Sequence, residues 1–400
     1  MVAVAAAIAS LCAACSSSSH TSSSTNSTQG TTSGSAGSNG SGGNIKLGAI
    51  YSLSGTFAAY GAAQKATEAT AVAEVNKDGG IEGRQVQLLT ANDQSTPNGA
   101  LAAARQLIGE GVVGFLFIGI SPDDAAAAPV LDQAKIPMIG LLTDNTYENG
   151  TQWPYIFNDY ADAKTGATPY GAFIKQLGIT KVGIIHDTTP ASVAFASGVA
   201  NSVSNSGVTV TKSVSFAPTA VDLTTEVQEI KGSGAQMLLG ANVVDYPALY
   251  TALKAVGWSP PMILATAAYY DDINALGSMA GNTYAVCNIG TKPGFTYPTA
   301  VSDQLATLKS QLGGVADEVL SVISAYDALL MYKAAIESTH STSGTAIAHY
   351  LDTVTNQSFS FPGMNYTFTA QNHEGVLAAD NYICKIEPLD EYGTPPIYQP

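Results

Sequence analysis

The sequence predicts an α/β protein of two similar lobes, each a doubly wound parallel sheet, and three observations carry that prediction. From Asn44 onward, short β-branched runs alternate with Ala-rich helical stretches. The alternation runs its course twice, from Ile45-Lys46-Leu47-Gly48-Ala49-Ile50 and again from Lys181-Val182-Gly183-Ile184-Ile185-His186, with no flexible linker between. A chain of 400 residues that is 46% hydrophobic and only 12% charged is too long for one ordinary core and too apolar for wholesale disorder.

The first 44 residues stand apart because they hold no Asp, Glu, Lys or Arg. Their apolar run, Val2 to Ala14, is too short to span a bilayer as a helix but fits the hydrophobic region of an export signal. Ala13 and Ala14 before Cys15 resemble a bacterial lipobox, in which Cys15 would carry lipid and become the new N-terminus, although Cys12 stands where that motif usually has Leu. A redox reading of Cys12-Ala13-Ala14-Cys15 lacks the surrounding fold it would need. Residues 16–43 are almost all Ser, Thr, Gly and Asn, and are expected to form a tether with a root-mean-square span of roughly 30 Å. No later stretch approaches the ~20 apolar residues of a membrane-crossing helix.

In the folded part the expected strands are Ile45-Tyr51, Gln85-Asn92, Gly114-Ile118, Pro137-Leu141, Lys181-His186, Val208-Ser215, Met237-Leu239 and Met262-Leu264. Each reads as a short, largely apolar run, several with β-branched residues, bounded by turn residues. The expected helices are Ala62-Asn76, Asn98-Glu110, Asp123-Ala134, Lys164-Leu177, Asp222-Lys231 and Tyr246-Val256. Such alternation places strands in parallel sheets that bind ligands at their carboxyl ends.

The formal charge of -15 includes only two arginines, Arg84 and Arg105, and the fourteen lysines are scattered singly. Nucleic-acid binding, which needs clustered cations, is therefore not expected. The folded part has no Gly-x-Ser-x-Gly elbow, no P-loop and no dinucleotide fingerprint, so no catalytic residue and no cofactor are assigned. The histidines at 20, 186, 340, 349 and 373 lack metal-ligand spacing, and His186, at the end of an apolar strand, reads as structural.

Several strings in order carry a resemblance. Ile45 to Gly55, Tyr60-Gly61, Val75-Asn76-Lys77-Asp78-Gly79-Gly80-Ile81-Glu82-Gly83-Arg84, Asn92-Asp93 with Pro97, Gly119 with Ser121, Ile136-Pro137-Met138-Ile139 and Ser324-Ala325-Tyr326-Asp327-Ala328 together resemble the leucine/isoleucine/valine-binding family of periplasmic substrate-binding proteins. Gly79, Gly80 and Gly83 of the Val75 to Arg84 string serve turns and identify the family without marking a site.

The resemblance implies the type I periplasmic binding protein fold, in which three crossing strands join two lobes that close on a solute. It places the first lobe at residues 45–160 plus 288–355 and the second at 161–287 plus 356–400, with crossings near Phe157-Tyr160, Ala285-Ile289 and Tyr382-Ile386. Cys287 and Cys384 would then lie on neighbouring strands and could pair, the alternative being two buried thiols. The family's amino-acid binders hold the solute carboxylate at a helix N-terminus, which maps to Ser121 and to Thr143 or Asp144, while Tyr60 matches a pocket aromatic. Ser121-Pro122-Asp123-Asp124 is also a strong helix start, with Ser121 as N-cap and two acids in the first turn that would repel an anion.

In the second lobe, Asn242 is placed to reach the cleft. Thr266 stands where those amino-acid binders have a Glu for the ammonium group. These departures point away from a plain α-amino acid and toward a small amide, polyol or other polar neutral molecule, within the broader class of small polar solutes, branched-chain amino acids among them, that the family implies. The implied role is a lipid-anchored, extracytoplasmic, monomeric receptor that delivers its solute to the permease of an ABC importer. The alternative is a sensor of the same fold that passes closure to a signalling partner.

Overall fold

The computed structural model describes residues 42–142, 145–241, 246–265, 282–288, 296–312, 319–362, 364–377 and 381–385. The first half is β1 (Ile45–Tyr51), α1 (Ala58–Lys77), β2 (Val86–Asn92), α2 (Pro97–Gly109), β3 (Gly114–Ile118), α3 (Ser121–Ala134), β4 (Met138–Gly140), a 3-10 turn at Asn145–Glu148 and β5 (Ile156–Asn158). Next come α4 (Ala163–Ala167), α5 (Tyr170–Gln176), β6 (Lys181–Asp187), α6 (Pro190–Asn205), β7 (Thr209–Phe216), α7 (Thr224–Gly232), β8 (Met237–Gly240), α8 (Tyr246–Val256) and β9 (Met262–Leu264). The chain continues with β10 (Thr283–Asn288), α9 (Thr299–Leu312), α10 (Val319–Thr339), α11 (Gly344–Leu351) and β11 (Asn381–Lys385).

Among the described residues, one sheet runs β2-β1-β3-β4-β5 and is parallel throughout. The other runs β11-β10-β9-β8-β6-β7 and is parallel except for the antiparallel pair β10–β11. Apolar clusters cover both faces of each sheet. In the first lobe, Ala71, Leu329 and Tyr332 lie in one cluster, and Leu107, Phe115 and Leu131 in the other. In the second lobe the two layers hold Leu249, Leu253 and Leu264, and Tyr170, Val199 and Leu239. This double cover explains why strands such as Gly114–Ile118 are buried along their whole length instead of alternating.

Helix starts follow local chemistry. Thr96 and Thr189 cap α2 and α6 ahead of a proline in the first turn, and Asp162 caps α4 by accepting the Thr165 amide at 2.7 Å. The expected continuous helix over 164–177 is instead two helices, α4 and α5, because Pro169 lies between them and offers no amide to continue the ladder. The Ser- and Ala-rich α6 is an element that the run assignments above omit.

The boundary of the second lobe also differs from the expected division. Phe361, Met364, Tyr366, Phe368 and Val376 are buried in the first lobe's core, so residues 356–362 and 364–376 pack there and not on the second sheet. Asp327 of α10 anchors this segment, taking the Ser360 amide at 2.7 Å and the Tyr366 hydroxyl at 2.9 Å. Only at β11 does the chain rejoin the second sheet.

Candidate functional site

Both sheets reverse their strand order next to their first strand, between β1 and β3 in one and between β6 and β8 in the other. Loops diverge at such a switch point and leave a crevice at the carboxyl edge. The residues that form it are therefore Tyr51 to Gly55 and Gly119 to Ser121 in the first lobe, with Asp187 to Thr189 and Ala241 in the second. Helices α3 and α6, which follow these edges, touch each other across the two lobes.

The first-lobe edge is rigid. Asn92 accepts the Leu53 amide at 2.9 Å and donates to Ser54 Oγ at 3.0 Å, while Ser95 donates to the Ser54 carbonyl and accepts the Phe57 amide. Gly61 lets α1 settle on this loop, since a Cβ there would stand 2.2 Å from the Ser52 carbonyl oxygen. Tyr60, one residue earlier, is half-buried with its ring centroid 6.1 Å from Phe117, which stacks on Tyr51 at 5.6 Å. The expected pocket aromatic thus stands at the carboxyl ends of β1 and β3.

Ser121 opens α3, but it is not the cap. Ile120 occupies that position, and Asp123 Oδ2 takes the Ile120 amide at 3.2 Å while the Asp123 and Asp124 amides donate to the Ile120 carbonyl. The reason is that Asp123, three residues after the cap, can fold back onto it. Asp123 and Asp124 are also buried, and Asp123 Oδ2 is engaged by the Ile120 amide at the start of the helix.

Burial, and to a smaller degree the neighbouring Asp93, push the Asp123 carboxyl up to about 6 against the lowering effect of the Ile120 amide. Gly119 makes this convergence possible. Its φ is +53°, and a Cβ would meet Asp123 Oδ2 at 2.5 Å and Asp93 Oδ2 at 2.9 Å.

Thr143, Asp144, Asn242, Thr266 and Cys15 lie outside the described residues. Cys384 is buried and disulfide-bonded, and the β10–β11 register sets Cys287 against Tyr382 and Ala285 against Cys384.

Residues not anticipated from sequence complete the second edge. Asp187 is fully buried and accepts from the Thr189 amide and hydroxyl and from the Ser192 hydroxyl, which fixes the turn from β6 into α6. His186 bonds the Asp187 carbonyl through Nδ1 at 2.7 Å, in keeping with a structural role. The string Asp187-Thr188-Thr189-Pro190 signals this turn on inspection, as an Asx turn running into a Thr-Pro helix start.

Residues 44–387 match the family described as periplasmic binding protein. The chain belongs to that family. The binding protein is 27% identical over 199 residues to a Leu/Ile/Val-binding protein homolog 3 of Brucella melitensis, covering 49% of this chain and 53% of the relative. It is 26% identical over 241 residues to a Leu/Ile/Val-binding protein homolog 7 of Brucella suis, covering 57% and 59%. These matches span a little over half the length of the curated relatives.

Solved structures share the fold over nearly the whole binding protein. An extracellular ligand-binding receptor from Rhodopseudomonas palustris superposes with a TM-score of 0.77 at 19% identity, over 89% of this chain and 100% of that one. A type 1 periplasmic binding protein from Bordetella pertussis gives 0.75 at 18%, over 87% and 98%. The substrate-binding protein LivJ of Streptococcus pneumoniae, in complex with isoleucine, gives 0.70 at 18%, over 86% and 96%.

The connection between the lobes of the binding protein passes through buried polar groups. Asn158, at the end of β5, takes the Leu142 and Tyr160 amides on Oδ1, and Asp159 accepts from Ser324 at 2.6 Å. Burial, opposed by that hydrogen bond and reinforced by Asp327, holds the Asp159 carboxyl well above the ordinary carboxylate range. On the outer side, Lys164 of α4 pairs with Glu148 of the 3-10 turn at 2.7 Å. Among the described residues no group of three metal-ligating side chains occurs and no helix is long and apolar enough to cross a membrane.

Proposed function

We propose that this chain is an extracytoplasmic receptor that captures a small polar solute, a branched-chain amino acid, an amide or a related molecule, between its two lobes and delivers it to an ABC importer. The observation that carries the reading is the pair of switch-point edges in one chain, each followed by a capped helix, with α3 of one lobe against α6 of the other. A solute held there contacts both lobes only when they are closed, so its binding energy shifts the open–closed balance, and the closed form is what a permease would read.

Tyr60, Ser121, Thr143 or Asp144, Asn242 and Thr266 are the residues proposed to meet the solute. The amides of Ile120, Asp123 and Asp124 are already satisfied within the chain, which leaves α3 fewer free donors for a carboxylate and favours a neutral polar group beside it. The Leu/Ile/Val-binding relatives support an amino acid as the competing solute. Attachment through a lipidated Cys15 would hold the receptor, as a monomer, at the outer face of the cell membrane.

The test is a thermal melt of the full chain against leucine, isoleucine, valine, short amides, urea and polyols. A bound solute at 100 times its dissociation constant adds about 2.7 kcal/mol of stability. A shift with an amide or polyol alone supports the neutral reading, and one with a branched-chain amino acid moves the solute to that class. The receptor reading fails if nothing on the panel raises the melting temperature.

A further inference from the structure

The approach to the third crossing carries a buried carboxyl. Glu374 is 6% exposed and lies just after His373, in the segment that packs on the first lobe. Its Oε2 accepts from Asn158 Nδ2 at 2.6 Å and its Oε1 from the Asp162 amide at 3.4 Å. The neighbouring backbone repeats the connection, because the Asn158 amide donates to the His373 carbonyl and the Gly375 amide to the Asn158 carbonyl, each at 2.9 Å. Asn158 ends the first lobe's last strand, and Asp162 caps α4, the first helix of the second lobe. One side chain therefore clasps both ends of the first crossing from the approach to the third.

We propose that Glu374 is a positioning residue for solute capture, a hinge latch that ties the first crossing to the third and sets how readily the lobes move. The proposal rests on the receptor reading above. It adds the group that governs closure.

The groups around the latch determine its charge. Asp162 is 1% exposed, and its Oδ2 has no hydrogen-bond partner among the described residues. Glu148 faces the pair from the 3-10 turn. The cation at hand is Lys164, which is engaged with Glu148 at 2.7 Å and is itself largely exposed.

His373 points elsewhere, with Nε2 on Asp352 at 3.0 Å, Nδ1 on the Ile156 carbonyl at 2.9 Å and its ring stacked on Phe157. Asp159, on the same crossing, turns to Ser324 and faces Glu68 and Asp327.

Burial, then the Asp162 charge, hold Glu374 well above the ordinary carboxylate range, with Glu148 adding to the effect and the Asn158 and Asp162 hydrogen bonds opposing it. Burial also raises Asp162, while its Thr165 contacts lower it. Glu374 is therefore the member of the pair that keeps the proton. A neutral Glu374 accepts the two hydrogen bonds without repelling Asp162, whereas an ionised one sets two like charges in a poorly solvated hinge. The latch holds at low pH and weakens as pH rises through the folded-state value of Glu374.

Hydrogen exchange on the full chain without solute tests the latch separately from the receptor reading. It is read at pH values from 5.5 to 9 and corrected for intrinsic rates, on peptides covering 156–166 and 372–377, with β1 as an internal control. In the wild type, exchange in both hinge peptides should accelerate by up to roughly tenfold per pH unit as pH rises toward the folded-state value of Glu374, and level off beyond that midpoint, the slope set by ionisation of one group. E374Q should abolish that acceleration and leave β1 unchanged.

Asp162→Asn keeps a capping side chain and removes the opposing charge, so it should move the midpoint to lower pH, which a merely structural role would not do. Hinge exchange that does not depend on pH in the wild type overturns the proposal. So does a midpoint unmoved in Asp162→Asn, a readout that stands even if E374Q fails to fold. Success here together with failure of the solute melts would sink the receptor reading alone.

Discussion

Replacing Glu68 by Gln should make this protein more stable above neutral pH, although the substitution removes a fully buried charged residue type from the core. Glu68 lies on α1, one and two turns after Gln64 and Tyr60, and is 3% exposed, with no hydrogen-bond partner for Oε2 among the described residues. Burial, and then the neighbouring Asp159, push its carboxyl from 4.5 to about 8. In the unfolded chain the group returns to its ordinary value. Its contribution is therefore fully present below about pH 4.5 and is lost as pH rises through about 8.

At about 1.4 kcal/mol per tenfold change in proton affinity, the full loss reaches about 5 kcal/mol. Gln has nearly the same shape and does not titrate. Urea unfolding at pH 5, 6.5, 8 and 9 should give the variant within about 1 kcal/mol of the wild type at the acid end and ahead of it by several kcal/mol at the alkaline end. A fall between pH 4 and 6 should persist in both, because Asp123 and Asp327 are each raised to about 6. A stability difference that stays constant with pH, or one that favours the wild type at pH 9, would refute the reasoning.

Gly119→Ala should lower stability by about 2–4 kcal/mol, combining a left-handed backbone at φ +53° with a Cβ driven into the Asp93 and Asp123 carboxyls. An unfolding free energy from urea lowered by less than about 1 kcal/mol would contradict the packing described for that turn. We propose that Cys287 is the partner of Cys384; peptide mapping without reductant should recover the two in one cross-linked fragment, and Cys384→Ser should cost about 2–4 kcal/mol. Recovery of Cys287 as a free thiol would refute the pairing.

Much of the scaffold was legible because it rests on local signals. Strands β1, β3 and β9 fall where their β-branched runs place them, and α8 spans the residues its periodicity indicates. The structure sets Tyr60, which the string that surrounds it singled out, at the carboxyl edge of the first sheet, beside Phe117. The split of α4 from α5 could have been read from Pro169, whereas α6 was hidden by its Ser, Ala and Gly composition, which carries little apolar periodicity.

By itself the sequence determined the α/β class, the twofold recurrence of the pattern and the ordered strings of the binding family, since these depend on residues close together in the chain. Only the tertiary structure decided where residues 356–362 and 364–376 pack, which way Asp123 points and what surrounds Glu68 and Glu374. Packing of that segment joins Phe361 and Tyr366 to a core that also holds Ile45, Leu116 and Phe157, more than 200 residues earlier in the chain. A carboxyl's charge, likewise, is set by burial and by neighbours such as Asp159, 91 positions away from Glu68 in the sequence. Local pattern reports which side chains are available, and desolvation and long-range proximity, which no short window contains, fix what they do.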